Sequence, residues 1–189
     1  MNTNSNNPIE IAKQVQQEKK ADIKREPIDC GHFNIRIGRS GKWYYLGSEI
    51  QRLEIVKLFA SVLKLDEEGD YWLETPVQKG RIDVEDVPFV AIGLDISGNG
   101  KSQKLNFKTN IGETVTASYE HNIWIETEQI SGKPSPYIHI RNGLYALMSR
   151  PVYYQLADLA VYRSKDNILG VWSSGVFFEL AEAEEEVNN

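Results

Sequence analysis

Apolar and polar residues alternate along most of the chain, in a pattern that predicts short β-strands. Apolar side chains recur at every second position within residues 33–37, 89–96 and 137–141, as expected for strands with one buried face. In the second of these segments, the predicted buried side consists of Val90, Ile92, Leu94 and Ile96. Glycine and asparagine turns separate the strands, and Asn142-Gly143 is the strongest hairpin signal, so antiparallel pairing is expected.

Two other segments carry apolar residues three and four positions apart, which predicts helices with one buried face. The first helix follows Ser48, which with Gln51 forms a predicted capping box. Its apolar face comprises Leu53, Val56, Phe59, Ala60 and Leu63. The second helix follows Ser149 and has Pro151 in its first turn. Its apolar face comprises Val152, Leu156, Leu159 and Ala160.

The two helical segments share an order of elements, which suggests an internal repeat. Residues 43–75 and 144–172 each read as a hairpin strand, a serine cap, a helix, a turn and a strand with a tryptophan. Ser48 and Ser149 are 101 positions apart, and Trp72 and Trp172 are 100 positions apart. We therefore predict an α+β fold of two similar tandem halves, each an antiparallel sheet packed with one helix in a ββαβ-like repeat. A chance match between common supersecondary parts is the alternative.

The predicted domain organisation follows from this repeat. Residues 1–25 are expected to form a flexible tail that contains a short helix from Pro8 to about Lys20. The first α+β half is expected at 26–88 and the second at 89–180, the latter beginning with a strand-rich stretch. An acidic, disordered tail is expected at 181–189.

Composition and charge exclude several classes of protein. Of the formal net charge of −6, four negative charges lie in the last nine residues, which leaves −2 for the rest and no basic stripe to bind a nucleic acid. Apolar runs stay well short of the ~18 residues that cross a membrane, so no membrane partner is expected. The polar N-terminus and the single Cys30 are typical of a cytoplasmic protein without disulfides.

Motifs for cofactors are weak. Gly100-Lys101-Ser102 resembles the end of a phosphate-binding loop, but the first glycine of that motif is replaced by Asp95 and strand-like residues follow. Cys30 and His32 are too few to hold zinc, which needs three or four ligands. We therefore predict no metal and no cofactor.

The most suggestive polar cluster is the predicted strand face that carries Tyr137, His139 and Arg141. Side chains two positions apart on a strand project from the same face, so an imidazole and a guanidinium would be neighbours and could bind a carboxylate or a phosphate. A solvated strand face or a buried hydrogen-bonded ladder is the alternative. Paired acids at Glu85 and Asp86 are a second candidate, although successive acids on a turn more often cap backbone donors.

These observations favour a non-enzymatic binding module that could act in signalling. Its ligand would be a small anion or a protein partner, held by the cluster on residues 137–141, by Glu85 and Asp86, and by Arg52 and Arg150. One alternative is a small enzyme that uses His139 as general acid or base together with Glu85 or Asp86. Another is a homo-oligomeric scaffold that pairs through exposed strand edges.

Several stretches are similar to one known family. They are Asp29-Cys30-Gly31, residues 43–48 (WYYLGS), 71–77 (YWLETPV), 82–89 (IDVEDVPF), 136–141 (PYIHIR) and 170–178 (GVWSSGVFF). In collinear order from residue 26 to 180, they resemble the uncharacterised bacterial family called domain of unknown function 1285. The resemblance implies a small bacterial cytoplasmic α+β protein and supplies no reaction or catalytic residue. The family has acidic residues near the positions of His32 and Asn34, and this chain lacks them.

Overall fold

The computed structural model describes residues 8–18, 26–127 and 132–182, and these form two compact, mostly β units. Strands hold 49% of the described residues and helices 18%. The units are Met1–Pro88 and Phe89–Asn189. Of the predicted tails at 1–25 and 181–189, residues 8–18 form a helix and residues 181–182 end a strand, whereas residues 1–7, 19–25 and 183–189 lie outside the described residues.

The first unit contains two helices and one six-stranded sheet. The helices are α1 (Pro8–Glu18) and α2 (Leu53–Ala60). The strands are β1 (Ile28–Ile37), β2 (Trp43–Tyr45), β3 (Ser48–Glu49), β4 (Leu63–Leu65), β5 (Tyr71–Glu74) and β6 (Gln78–Val84). They lie in the order β3-β2-β1-β6-β5-β4. Neighbours are antiparallel except for the central β1–β6 pair, which is parallel.

The second unit contains a six-stranded sheet, one helix and a three-stranded sheet. The first sheet comprises β7 (Phe89–Ser97), β8 (Lys104–Thr109), β9 (Thr114–Thr116), β10 (Ile123–Thr127), β11 (Pro134–Arg141) and β12 (Leu144–Met148). Helix α3 (Arg150–Ala157) follows, and the second sheet comprises β13 (Val161–Arg163), β14 (Ile168–Ser173) and β15 (Val176–Glu182). The large sheet has the order β10-β11-β12-β7-β8-β9, with a parallel central pair formed by β7 and β12.

The two six-stranded sheets have the same connectivity. Each consists of two antiparallel three-stranded meanders, and the first strand of one meander pairs in parallel with the last strand of the other. A parallel contact of this kind needs a long connection, which here is the rest of the sheet itself. Strands that are far apart in sequence therefore form the centre of each sheet.

The predicted α+β repeat is wrong. Helix α2 lies between β3 and β4, whereas the corresponding connection between β9 and β10 is not helical. Helix α3 comes after the last strand of its six-stranded sheet. The supposed equivalents Trp72 and Trp172 consequently lie in different kinds of sheet, the first in β5 and the second in the three-stranded sheet. The similar spacing of the serines and of the tryptophans in the sequence therefore does not mark equivalent positions in a repeat.

The predicted capping box of the first helix is also wrong. Ser48 lies in β3, and the residue that precedes α2 is Arg52, which makes no side-chain capping bond. The helix ends at Ala60 because Leu63 belongs to β4 and pairs with Leu73. Ser149 does occupy the predicted position before α3, but its hydroxyl forms no capping bond.

The inward faces of the strands form the buried core of each unit. In the first unit, the fully buried side chains include Ile35, Ile37, Trp43, Phe59 and Leu73. In the second they include Phe89, Leu105, Phe107, Ile138, Leu144, Leu156 and Val171. The burial of these large apolar side chains supplies most of the driving force for folding. None of the helices in the described ranges has the length and apolarity to cross a bilayer.

The three-stranded sheet is attached to β8 by a buried serine. The Ser173 hydroxyl donates to the carbonyl oxygen of Ala117 at 2.7 Å and accepts from the backbone N–H of Leu105 at 3.0 Å. Beside it, the Gln103 amide donates to the carbonyl oxygen of Trp172 at 2.8 Å. Ser173 is 0% exposed, so its hydroxyl satisfies two backbone groups that water does not reach.

Candidate functional site

The three side chains of the predicted cluster on β11 have different partners within the fold, and the pairing of β11 with β12 shifts between His139 and Arg141. Tyr137 is 5% exposed, and its ring stacks on Trp124 with 5.2 Å between centroids. The Arg141 guanidinium lies 3.2 Å from a carboxylate oxygen of Glu113 and 5.5 Å from the centre of the Phe89 ring. The Tyr137 ring is therefore packed against another aromatic ring, and the charge of Arg141 is paired with a carboxylate.

His139 uses both ring nitrogens to hold backbone groups. Its Nδ1 lies 2.7 Å from the carbonyl oxygen of Glu120, and its Nε2 lies 3.3 Å from the backbone N of Gly143. The carbonyl can only accept and the N–H can only donate, which assigns the neutral tautomer with its proton on Nδ1. The ring also stacks on His121 and contacts the Tyr145 ring edge-on. This arrangement supports a structural role that ties the turn before β10 to the β11–β12 hairpin.

Replacing His139 by alanine is expected to lower the free energy of unfolding by about 1–2 kcal/mol, because an exposed backbone carbonyl and a partly buried backbone N–H lose their partner. His139→Asn is the matched variant: its side-chain amide can still donate to Glu120 but does not reach Gly143, so about half of the loss should return. Urea unfolding measures both. Unchanged stability for both variants would contradict the structural role and favour the enzyme alternative.

Glu85 and Asp86 lie in the first unit and form ion pairs with arginines of the β1–β2 hairpin. Glu85 pairs with the Arg36 guanidinium and accepts the backbone N–H of Arg39 at 2.9 Å. Asp86 lies 3.2 Å from Nε of Arg39. The two acids thus fix the hairpin turn, as expected for successive acids after a strand. His139, their predicted catalytic partner, belongs to the second unit.

Cys30 is not activated as a nucleophile. Partial burial, together with the nearby carboxylates of Asp29 and Glu18, raises the pKa of the Cys30 thiol. A raised pKa keeps the sulfur protonated at neutral pH, and the thiolate is the reactive form. Among the described residues, no group of three or more histidine, cysteine or acidic side chains could hold a metal ion.

Arg52 has the surroundings of a binding residue. It lines two neighbouring cavities of the first unit, with volumes of about 370 Å³ and 430 Å³, and both cavities are also lined by Ile9 and Ile55. We call these two cavities together the Arg52 cleft. The first is completed mainly by apolar side chains, namely Pro8, Tyr45, Leu46 and Ile50. The second also contains Lys13, Glu54 and Lys57.

The Arg52 side chain is unpartnered within the described ranges, where its guanidinium makes no hydrogen bond or ion pair. Glu49, the acid that lines the first cavity, is held at 3.0 Å by the Lys42 ammonium. Burial raises the pKa of the Tyr45 phenol, which therefore stays neutral in the cavity wall at physiological pH. Within the described ranges, the first cavity consequently combines a largely apolar lining with one exposed cation that has no protein partner.

Arg150, the remaining predicted site residue, is the exposed first residue of α3 in the second unit. The predicted site residues thus belong to two different units, and Arg52 is the one that lines the Arg52 cleft. Sequence reasoning missed the other lining residues, above all Ile9, Leu46 and Ile55. Their local signals are weak, because the cleft exists only where α1 meets α2 and the β2–β3 turn.

Comparison with known proteins identifies the family. Residues 23–87 match the N-terminal domain described as "Domain of unknown function (DUF1285)", and residues 88–180 match the C-terminal domain described as "Protein of unknown function (DUF1285)". The chain belongs to the DUF1285 family. The resemblance seen in the sequence is thereby confirmed. None of the curated proteins compared with this DUF1285 chain matches it.

Two crystal structures of DUF1285 family proteins resemble the chain. The protein from Silicibacter pomeroyi has 36% sequence identity and a TM-score of 0.84, with 97% of this chain and 98% of that chain covered. The protein from Shewanella baltica has 29% identity and a TM-score of 0.52, with 66% of this chain and 91% of that chain covered. The first similarity extends over both units of the DUF1285 fold.

Proposed function

We propose that this DUF1285 protein is a non-enzymatic binding module, and that its first unit holds a small anionic ligand in the Arg52 cleft. The observation that carries the proposal is the unpartnered guanidinium in the lining of two cavities. Arginine presents a planar fork of donors that matches a carboxylate or a phosphate, and such charge-assisted bonds are the strong ones. An anion would give this cation the partner that it lacks among the described residues.

The size and lining of the cleft support a small molecule. Volumes of about 370 Å³ and 430 Å³ lie within the range of roughly 300–1,000 Å³ that is usual for ligand pockets. Such pockets are mostly apolar, with a few polar groups that orient the ligand. Ser48 and Gln51 supply neutral hydrogen-bonding groups in the first cavity, beside the charged Arg52.

Binding is favoured over catalysis because the predicted catalytic groups have other partners. Both nitrogens of His139 hold backbone groups, while Glu85 and Asp86 pair with arginines. A general acid or base needs a proton position that is open to the substrate. A role in signalling, a protein partner and a homo-oligomeric scaffold stay predictions from the sequence.

The test replaces Arg52 by glutamine and uses Arg150→Gln as the matched control, since Arg150 is an exposed arginine beside the other short helix. Thermal shift against a panel of carboxylates and phosphates finds the ligand, and calorimetry measures its affinity. At 100 times the dissociation constant, a ligand adds about 2.7 kcal/mol of stability. Arg52→Gln should weaken binding about 10- to 100-fold, because hydrogen bonds to charged groups contribute about 1.5–3 kcal/mol. Arg150→Gln should leave it unchanged.

Two results would contradict the proposal. One is the absence of any saturable anion binding by the wild-type protein. The other is an equal loss of affinity in both arginine variants, which would indicate a general effect of net charge and not a site at Arg52.

A further inference from the structure

Leu46 occupies a backbone position that disfavours it. With Gly47 it forms the two-residue connection between β2 and β3, where Tyr45 pairs with Ser48. Both turn residues have positive φ, 47° at Leu46 and 83° at Gly47, as type I′ hairpin turns require. Asparagine and glycine are favoured in such turns, because a residue with a bulky side chain meets steric strain at positive φ.

The second unit contains the same turn with the favoured residue. Asn142 and Gly143 connect β11 and β12 with φ values of 47° and 74°. Leu46 therefore stands where an asparagine would be the ordinary choice. Its side chain is 62% exposed, so packing within the protein does not offset the strain. An exposed apolar side chain kept at a strained position indicates a role in contact with something outside the chain.

Leu46 projects beside the apolar half of the Arg52 cleft. It lines the first cavity together with Ile9, which is 38% exposed, and with the less exposed Tyr45, Ile50 and Ile55. Charged side chains are concentrated in the second cavity, where Lys13 and Lys57 accompany Arg52. The Glu54 carboxylate also lines that cavity. Arg52 lines both cavities, so an anionic group bound to Arg52 can extend an attached chain into the first cavity.

The first cavity is mainly apolar, and the charged side chains are concentrated in the second. From this difference we infer that the ligand is a single-chain amphiphile, with a carboxylate at Arg52 and an aliphatic chain in the first cavity against Ile9, Leu46 and Ile55. The inference rests on the proposed anion site and adds the class of ligand. Straight-chain carboxylates are the simplest probes of it, because they vary the apolar part while the anionic group stays the same.

The experiment measures dissociation constants for acetate, butanoate, hexanoate, octanoate and decanoate below their micelle concentrations, with octanol as the uncharged control. Burial of each methylene contributes about 0.8 kcal/mol, so affinity should rise about three- to fourfold per methylene until the cavity is filled. Octanol should bind at least about tenfold more weakly than octanoate, since it cannot form the charge-assisted bond with Arg52.

Leu46→Asn is the decisive variant because its two effects have opposite signs. It should raise the melting temperature by a few degrees, since asparagine relieves the strained turn, and weaken octanoate binding about three- to tenfold. Acetate binding should stay unchanged. Asn142→Leu is the reciprocal control: it places leucine in the same kind of turn of the second unit, at a residue that does not line the cleft, so it should lower the melting temperature and leave octanoate binding intact.

The outcomes separate the two proposals. Arg52-dependent binding of acetate or inorganic phosphate, without any gain from a longer chain, would overturn the amphiphile and leave the anion site standing. No anion binding at all would overturn both. The protein could instead sediment with phosphatidylglycerol vesicles and show no binding of soluble octanoate. That result would indicate that the ligand is a membrane surface, and it would also overturn the inference. Octanoate binding that Leu46→Asn does not weaken would do the same.

Discussion

Replacing Gly170 by alanine is expected to lower the free energy of unfolding by about 3 kcal/mol. A Cβ atom on Gly170 would overlap the carbonyl oxygen of Phe178 and would lie 2.5 Å from the Phe177 ring. Phe178 of β15 pairs with Val171 of β14, so its backbone cannot move away without breaking the ladder. Denaturant unfolding, followed by tryptophan fluorescence, measures the loss.

Two other strand glycines provide controls. A Cβ on Gly93 would have its nearest neighbour at 3.7 Å, so Gly93→Ala should cause no loss of stability. A Cβ on Gly80 would lie 2.5 Å from the ring of Phe33. This clash is with a side chain and not with the backbone, so a smaller residue at position 33 can relieve it. Phe33→Leu should therefore restore much of the stability lost in Gly80→Ala, whereas Phe177→Leu should not rescue Gly170→Ala. Rescue of both would show that β15 can move.

Ser173→Ala is expected to lower the free energy of unfolding by about 2–4 kcal/mol. Two buried backbone groups, the N–H of Leu105 and the carbonyl of Ala117, would lose their partner, and an unsatisfied buried group costs about 1–3 kcal/mol. The small cavity left by the hydroxyl does not offset this cost. Chemical unfolding of the purified variant gives the difference directly.

The neighbouring serine is the matched control for this change. Ser174 is exposed in the β14–β15 turn, and it contributes to the attachment through its backbone N–H, which donates to Gln103. Ser174→Ala keeps that bond and should change stability by at most about 0.5 kcal/mol. Equal effects of the two substitutions would mean that the buried hydroxyl does not attach the three-stranded sheet.

Local alternation predicted the strands well where the pairing is regular and failed where it is interrupted. Ile35 and Ile37 of β1, which pair with β2 without interruption, are buried as their spacing predicts. In β7, the pairing with β8 shifts between Ala91 and Gly93, so the buried face passes from odd to even positions. Ile92 is consequently 55% exposed, although the alternation places it inside. A β-bulge reverses the face of a strand and has no strong local signal.

The fold class could not be predicted from local patterns because its defining contacts are non-local. The parallel pairing of β1 with β6 joins residues such as Ile37 and Val84, and β7 pairs with β12 in the same way. The apolar spacing of two short helices led to the prediction of a repeated unit with one helix in each half. The repeated feature is the strand order, which depends on pairing and not on helix positions.

The candidate site was predicted in part. Strand periodicity identified Tyr137, His139 and Arg141, but the pairing of β11 shifts between His139 and Arg141, and partners such as Glu113 and Glu120 come from other segments. Arg52 was identified as a candidate cation, whereas its cleft depends on the packing of α1 against α2. A cavity is a property of tertiary packing, so no spacing rule in the sequence could reveal it.

The central position of the first strand has a consequence for protein synthesis. In each six-stranded sheet, the strand that is translated first ends up beside the one that is translated last. On the ribosome, β1 can pair early with β2, but its other edge stays open until β6 emerges. An open edge of an innermost strand readily pairs with other chains. Each sheet is therefore most vulnerable to aggregation while it is a nascent chain.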